Sequence, residues 1–450
     1  MIEMVGHART ATIPTGLPGE VYFKLFRDYA DKQSVLDEVH QTFLASVELL
    51  AGRECRKSCE SSGLARLHLH FPAEHVHLLE ALVNHHLKRR MLAWSAAIGR
   101  RDVGLTQDFL VQDLLVVRVH YPHVHIGRNS GPSRRPRLRH RIRYGLASAL
   151  ERARDVYDSK NALRVPKKLL EYARQRRRRA ALPLPYRCHA PHLDSWLGQP
   201  VTSLSVWLAV AGVDRDNSMC LYPETAGAGL PLSGSQFLGS GVCLPRPTRP
   251  EIQDGDLFVF STDILHSSQL NTSEKTRIAL TTRIDPGTPV FSRESLWFIQ
   301  RWYSADGILR GRWRRKVFRA SEHSVPRAAA VFAAPPEGSA AIPASFNASE
   351  KWQVGPSEMI PDNGTLTVQF EDKRILIVRA EDGRLHAFSG RCPHEGYRMD
   401  EGYHDGCVLI CPGHGLEFDA RTGASSLDRY RLARFAVTEQ SGAIFLGGAE

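Results

Sequence analysis

Apolar positions recur three and four residues apart in SVLDEVHQTFLASVELLA (34–51) and HVHLLEALVNHHLKRRMLAWSAAI (75–98). That spacing places them on one face of a 3.6-residue helix and predicts two amphipathic helices that back a sheet. DLLVVRVHYP (113–122) is β-branched and ends at a proline, which predicts a strand. From Pro185 the pattern is strand-like: VTSLSVWLAVAGV (201–213), DGDLFVFSTDILH (254–266) and TRIALTTRI (276–284), each bounded by turn residues. Strands in that number, separated by turns, predict a sandwich or barrel. The apolar, tryptophan-bearing stretch from Leu296 to Trp313 is expected to be helical, and VPRAAAVFAAPPEGSAAIPAS (325–345) has too little to pack and reads as a linker.

A chain of 450 residues with 42% hydrophobic content accommodates two or three packed domains. The net charge of +11 is uneven. Residues 351–450 hold 11 Lys and Arg against 15 Asp and Glu, so an acidic C-terminal module of net −4 follows a basic body of net +15. Arginine clusters at 134–143 and 174–179 lack aromatic interleaving or a nucleic-acid motif, so nucleic acid is disfavoured. Solvated helix faces, attraction of an anionic substrate, or docking of an acidic module or a reductase explain them better. No run of 18 apolar residues and no signal-type N-terminus is seen, so a cytoplasmic location without membrane contact is expected. Cys55 and Cys59 share a helix face at i, i+4 and are expected as a buried thiol pair.

The chemistry begins with Cys392-Pro393-His394 and Cys411-Pro412-Gly413-His414. Two thiolates and two neutral imidazoles can hold the two irons of a Rieske [2Fe–2S] cluster, a one-electron centre. The same four residues could hold a tetrahedral zinc. The surrounding text, CPHEGYRMDEGYHDGCVLICPGHGLEFDARTG, resembles Rieske domains along its length, from about Trp352 to Leu446. The resemblance implies a small antiparallel β fold with the cluster between two loops. Tyr397 and Gly413 stand where respiratory members carry a disulfide, so the segment looks like the ferredoxins that serve oxygenases. Cys407 is spare, and a small apolar strand position is expected for it.

A second constellation lies upstream. In His192-Leu193-Asp194 an extended chain sends positions i and i+2 to one face, and His266 follows the apolar strand after the turn Asp254-Gly255-Asp256. Two histidines and a carboxylate form the facial triad of non-haem Fe(II) oxygenases. His189 lacks an aspartate two residues on and is set aside. Arg277, eleven positions after His266, opens the next strand, where a guanidinium can clasp a carboxylate.

His192, Asp194, His266 and Arg277 together resemble the Fe(II)/2-oxoglutarate dioxygenases, especially their phytanoyl-CoA dioxygenase-like branch, over about 185–285. The resemblance implies an α+β, mainly β fold: a double-stranded β-helix, or jelly roll, with flanking helices. It implies that His192, Asp194 and His266 bind Fe(II) and that Arg277 binds 2-oxoglutarate. Because Asp194 is present, hydroxylation is favoured over halogenation. Pro223-Glu224-Thr225 departs from the family's usual Pro-Gly-Ser-His.

The domains expected are therefore 1–320 (oxygenase, jelly-roll core about 113–285), 321–349 (linker) and 350–450 (Rieske). Arg118 and His120, on one strand face, and Trp196 are expected at a substrate pocket, whereas His68, His70, His75 and His77 are expected at the surface. The expected function is O2-dependent hydroxylation of a small polar natural-product intermediate, with the cluster re-reducing iron oxidised in abortive turnover. Alternatives are a Rieske-type oxygenase fed by an external ferredoxin reductase without 2-oxoglutarate, a docking module with little electron traffic, or a non-catalytic electron carrier or redox sensor. A homo-oligomer stays open.

Overall fold

The computed structural model describes residues 22–126, 184–233, 237–239, 241–293, 299–320, 324–325, 352–370 and 373–449. The arginine clusters at 134–143 and 174–179 and the linker residues 326–349 lie outside the described residues.

Both helices expected from periodicity form, as α1 (Lys32–Ala51) and α3 (Val76–Arg101), with α2 (Arg53–Ser62) between them. In α1 the buried positions Val35, Leu36, Val39, Phe43, Leu44, Val47 and Leu50 follow the 3–4 spacing, and α2 buries Cys55 and Cys59. α3 packs closely at its C-terminal end. A Cβ on Gly99 would lie 2.4 Å from the Phe109 ring, so only glycine permits that approach.

The helices cover one face of a large sheet. Its strands are β1 (Phe23–Phe26), β2 (Leu110–Gln112), β3 (Val116–His120), β4 (Leu204–Ala211), β6 (Leu257–Ser261), β8 (Arg277–Asp285), β10 (Ile299–Ser304) and β11 (Arg315–Arg319). They run β1-β6-β4-β8-β2-β10-β11, and β3 also pairs with β8. Period-two alternation assigns the faces. Leu204, Val206, Leu208, Leu257, Val259, Ile278, Leu280 and Ile284 join the helices in one core. Trp207, Ala209, Phe258, Phe260 and Ala279 face the opposite way, into a second core with Met219 and Leu221. Those two residues belong to β5 (Met219–Leu221), which pairs with β7 (His266–Ser268). Isolated bridges extend this small sheet, His192 to His266 and Leu221 to Thr248, giving the order 192-β7-β5-248.

Several expectations change. The stretch expected as one helix around 296–313 contains strand β10 and only a short helix, Ala305–Leu309. β10 finds strand partners on both sides, β2 and β11, and its Trp302 is fully buried; tertiary pairing outweighs the local preference. His68 is buried and hydrogen-bonds through Nδ1 to Thr276 Oγ1 at 2.8 Å, instead of lying at the surface. At the head of the expected linker, β12 (Ser324–Val325) pairs in parallel with β9 (Phe291–Ser292).

The C-terminal part has β13 (Trp352–Pro356), β14 (Thr365–Phe370), β15 (Lys373–Arg379), β16 (Leu385–Ser389), β17 (Tyr403–His404), β18 (Val408–Ile410), β19 (Glu417–Asp419), β20 (Arg434–Gln440) and β21 (Ala443–Ala449). An antiparallel sheet in the order β13-β21-β20-β16-β15-β14 carries a smaller one, β17-β18-β19. On β15, Ile375 and Ile377 enter one core while Leu376 and Val378 enter the other, under the smaller sheet. Cys407 is exposed and donates to Glu381 Oε2 at 2.8 Å, so it sits in the turn before β18 and not at an apolar strand position.

Candidate mononuclear metal site and its junction with the cluster loops

His192 and His266 face each other across an antiparallel bridge closed by both main-chain hydrogen bonds, His192 N–H to His266 O at 2.9 Å and the reverse at 3.1 Å. Their ring centroids lie 4.5 Å apart. Each ring is oriented alike: Nδ1 of His192 lies 2.8 Å from the Ala190 carbonyl, and Nδ1 of His266 lies 2.9 Å from the Ile264 carbonyl. A carbonyl can only accept, so Nδ1 carries a proton in each ring and Nε2 is the nitrogen left to a metal, the orientation metal-binding histidines use.

Leu193 is extended, and Asp194 opens a short 3-10 turn (Asp194–Leu197). Asp194 Oδ2 accepts from Arg283 Nη2 at 2.9 Å and Ser205 Oγ at 3.1 Å, and Oδ1 lies 3.7 Å from His192 Nε2. One ligand atom from each of His192, Asp194 and His266 lies within 4.8 Å of the others. Burial by itself would raise the Asp194 carboxyl, but Arg283 and the two histidines hold it well below the usual carboxylate range. Burial, followed by His192, pushes His266 down to about 4. A carboxylate oxygen and two imidazole nitrogens on one face are a donor set that fits a divalent iron with three positions left open.

Arg277 begins β8 and is buried, its Nη1 donating to the carbonyls of Asn217 (3.0 Å) and Ser218 (2.6 Å). Burial lowers its pKa to about 10, so it stays charged at neutral pH. Among the described residues no carboxylate lies within ion-pair distance of it. His120 is its cross-strand neighbour, and Arg118 lies two positions earlier on β3, so the three expected residues gather at one end of β8. Trp196 does not join them. It is fully buried in an apolar cluster with Leu193, Cys220, Tyr222 and Leu265, a core position and not a pocket wall.

Arg283 escaped the sequence reading, although a signal existed: positions 277 and 283 differ by an even number on one strand, so both guanidinium groups leave the same face.

Cys392 and His394 lie between β16 and β17, and Cys411 and His414 between β18 and β19. Cys392, Cys411 and His414 are buried, and the two imidazoles sit 5.0 Å apart. A hydrogen bond from Cys411 lowers the Cys392 thiol, against its burial and with help from the main-chain N–H groups of His394 and Glu395. Among the described residues, only His192, Asp194 and His266 bring three ligating atoms within 4.8 Å of one another. Two thiols and two imidazoles, paired across facing loops, are a donor set that fits the two irons of a Rieske cluster. Where a disulfide would clamp the loops, the Tyr397 ring covers Gly413: a Cβ there would fall 2.5 Å from that ring.

Residues 350–431 match the family model for the Rieske [2Fe-2S] domain. The C-terminal module is a Rieske domain. The chain is 32% identical over 90 residues to the 4beta-methylsterol monooxygenase of Methylococcus capsulatus, covering 18% of this chain and 24% of that protein. It is 33% identical over 109 residues to the glycine betaine monooxygenase oxygenase subunit of Chromohalobacter salexigens, covering 22% and 24%. It is also 33% identical over 79 residues to the ferredoxin component of an alkene monooxygenase system of Xanthobacter autotrophicus, covering 17% and 63%. The chain thus spans about a quarter of the two oxygenases it matches. No described helix is long and apolar enough to cross a membrane.

The cluster loops of the Rieske domain rest on the N-terminal body. Leu270 N–H donates to His414 O at 3.1 Å, and His123 packs against His394 with ring centroids 5.6 Å apart. Arg249 donates to Gly415 O at 2.7 Å and pairs with Glu417 at 2.7 Å, and Arg246 lies 3.8 Å from Asp405. Gly241 N–H and Leu244 N–H bond to the Glu401 side chain and carbonyl at 2.8 and 2.9 Å. Among the described residues an acidic module therefore meets a basic body through Arg246 and Arg249, two residues outside the arginine clusters at 134–143 and 174–179, which lie outside the described residues. His123, 1% exposed, was missed as well. Nothing in its local sequence points to the cluster, and only the fold brings it to His394.

Proposed function

We propose that the chain is an O2-dependent iron oxygenase in which the Rieske cluster, on Cys392, His394, Cys411 and His414, supplies electrons to a mononuclear iron on His192, Asp194 and His266. The observation that carries this is the junction: the loop bearing His414 bonds through its main chain to Leu270, four residues beyond His266. The resemblance of the Rieske domain to parts of monooxygenases and to an oxygenase-serving ferredoxin supports an external reductase as the electron source.

Bound at the triad, iron would activate O2 for oxidation of a small organic substrate. The protein's part is orientation and charge. The Ala190 and Ile264 carbonyls fix the tautomer and rotation of the two imidazoles. Ser205 and Arg283 hold Oδ2 of Asp194, so that Oδ1 is presented. Asp194, held ionised by Arg283, brings a negative charge to the set, which favours a divalent cation.

A second reading adds 2-oxoglutarate as co-substrate, and Arg277 favours it. A buried guanidinium whose hydrogen bonds among the described residues go only to main-chain carbonyls is suited to the carboxylate of a bound keto acid, as an unpaired buried charge is costly. The sheet orders β3-β8-β4-β6 and 192-β7-β5-248 support a double-stranded β-helix as the frame for that reading.

One experiment tests both. Reconstituted protein should hold about three irons per chain, two in the cluster and one at the triad. Product formation is then followed with a ferredoxin reductase and NADH, with 2-oxoglutarate, or with both. Dependence on the reductase supports electron supply by the cluster, and stoichiometric succinate supports the second reading. Product from neither source would overturn both.

A further inference from the structure

Resting on the electron-supply reading, we propose that the electron crosses within a single chain, leaving the cluster at His414 and reaching the mononuclear site along the main chain from Leu270 to His266. The two ligands of the cluster that are imidazoles sit in different surroundings. His414 is 1% exposed, and its carbonyl accepts the Leu270 N–H at 3.1 Å. Leu270 is itself fully buried, in one apolar cluster with Cys392, Cys411 and Leu416. The four residues from Leu270 back to His266 span at most about 14 Å when extended. His394 is half-buried and packs against His123 of the N-terminal body, while Pro393, Glu395 and Gly396 beside it are exposed, which leaves that exposed loop surface to an external one-electron donor.

Gly415 shows that this approach is built in. Its φ is +66°, and a Cβ on it would lie 2.6 Å from Cys220 Sγ. Cys220 is the cross-strand partner of Ser267, next to His266. The residue after His414 thus touches the strand pair that carries an iron ligand, at a distance only glycine allows. Arg249 fastens the same point through Gly415 O and Glu417. Gly415 is accordingly a positioning residue.

The transfer balances simply. One electron leaves the reduced cluster, whose ferrous iron becomes ferric, and one ferric mononuclear iron becomes ferrous. No bond breaks, and the external reductase replaces the electron.

The test mixes two full-length variants. Cys392→Ser/Cys411→Ser lacks the cluster and is loaded with ferric iron at the triad. His192→Ala/His266→Ala keeps the cluster, which is reduced anaerobically. Loss of the reduced-cluster electron paramagnetic resonance signal is timed in the mixture and in wild-type protein carrying both centres. Within one chain the effective concentration is in the millimolar range, so a micromolar mixture should react at least about a hundredfold more slowly, at a rate that rises with concentration. A mixture as fast as wild type would overturn the intrachain route while leaving the electron-supply reading intact. No transfer in wild type would overturn that reading too. Gly415→Ala, and separately Arg249→Gln, should slow the wild-type transfer with the cluster spectrum and potential unchanged, and should speed hydrogen exchange at the Leu270 amide. Faster exchange with an unchanged transfer rate would overturn the route through His414 and Leu270.

Discussion

Arg283 donates to Asp194 Oδ2 at 2.9 Å, and both side chains are almost wholly buried. Removing the guanidinium leaves a buried carboxylate short of its main partner, which costs about 3–5 kcal/mol when nothing compensates. Arg283→Gln should lower the affinity of the triad for Fe(II) or Co(II) by about 10–100-fold, with the Rieske spectrum unchanged. A titration of the metal against wild type and variant checks this; equal affinities would show that Arg283 does not orient Asp194.

Arg277 tests the place of 2-oxoglutarate. Arg277→Lys keeps the charge but loses the planar fork, so binding of the keto acid should weaken by at least about tenfold. Calorimetric titration under anaerobic conditions measures it. If 2-oxoglutarate binds wild type and variant equally, the second reading is lost.

Asp400 links the Rieske domain to pH. Burial would raise its carboxyl, but Arg374 and Arg398 bond to it and hold it below the usual aspartate range. A depressed folded pKa contributes stability that is present above the unfolded value of about 3.9 and is lost as pH falls through the folded value. The midpoint of thermal unfolding should therefore fall as pH is lowered below about 4, the unfolded aspartate value, and keep falling toward the lower folded value. Asp400→Asn should be less stable than wild type at pH 7 and show a shallower acid decline. Parallel declines would remove Asp400 from the acid response.

Trp196 is fully buried among Leu193, Tyr222 and Leu265. Trp196→Ala should cost about 3–5 kcal/mol of stability, read from chemical denaturation, while substrate preference in the surviving protein stays the same. A change of preference at unaltered stability would restore Trp196 to the pocket.

Period and spacing carried much of this architecture. α1 and α3 lie where 3–4 spacing puts them, because each buries a face that its own sequence defines, and β4 and β8 lie in the apolar, turn-bounded runs because both their faces are buried. The turn glycine and apolar run before His266 likewise led to the strand that presents it. The strand β10 was not legible, since one of its partners, β2, lies far earlier in the chain (Trp302 pairs with Gln112) and the other, β11, is an exposed strand rich in Arg and Lys with no apolar alternation to report the pairing. The junction was hidden for the same reason. Leu270, Arg249, His123 and Gly415 are ordinary in their local context, and acquire meaning only when the Rieske domain is docked.

The most direct measurement of the central claim is a single turnover by protein whose cluster has been reduced and whose excess reductant has been removed. With iron bound at His192, Asp194 and His266, admission of O2 and substrate should discharge the reduced-cluster signal in step with product, and His266→Ala should retain the signal over the same period. Equal loss of signal in the two proteins, or product formed while the cluster stays reduced, would contradict electron supply from the cluster to the mononuclear site.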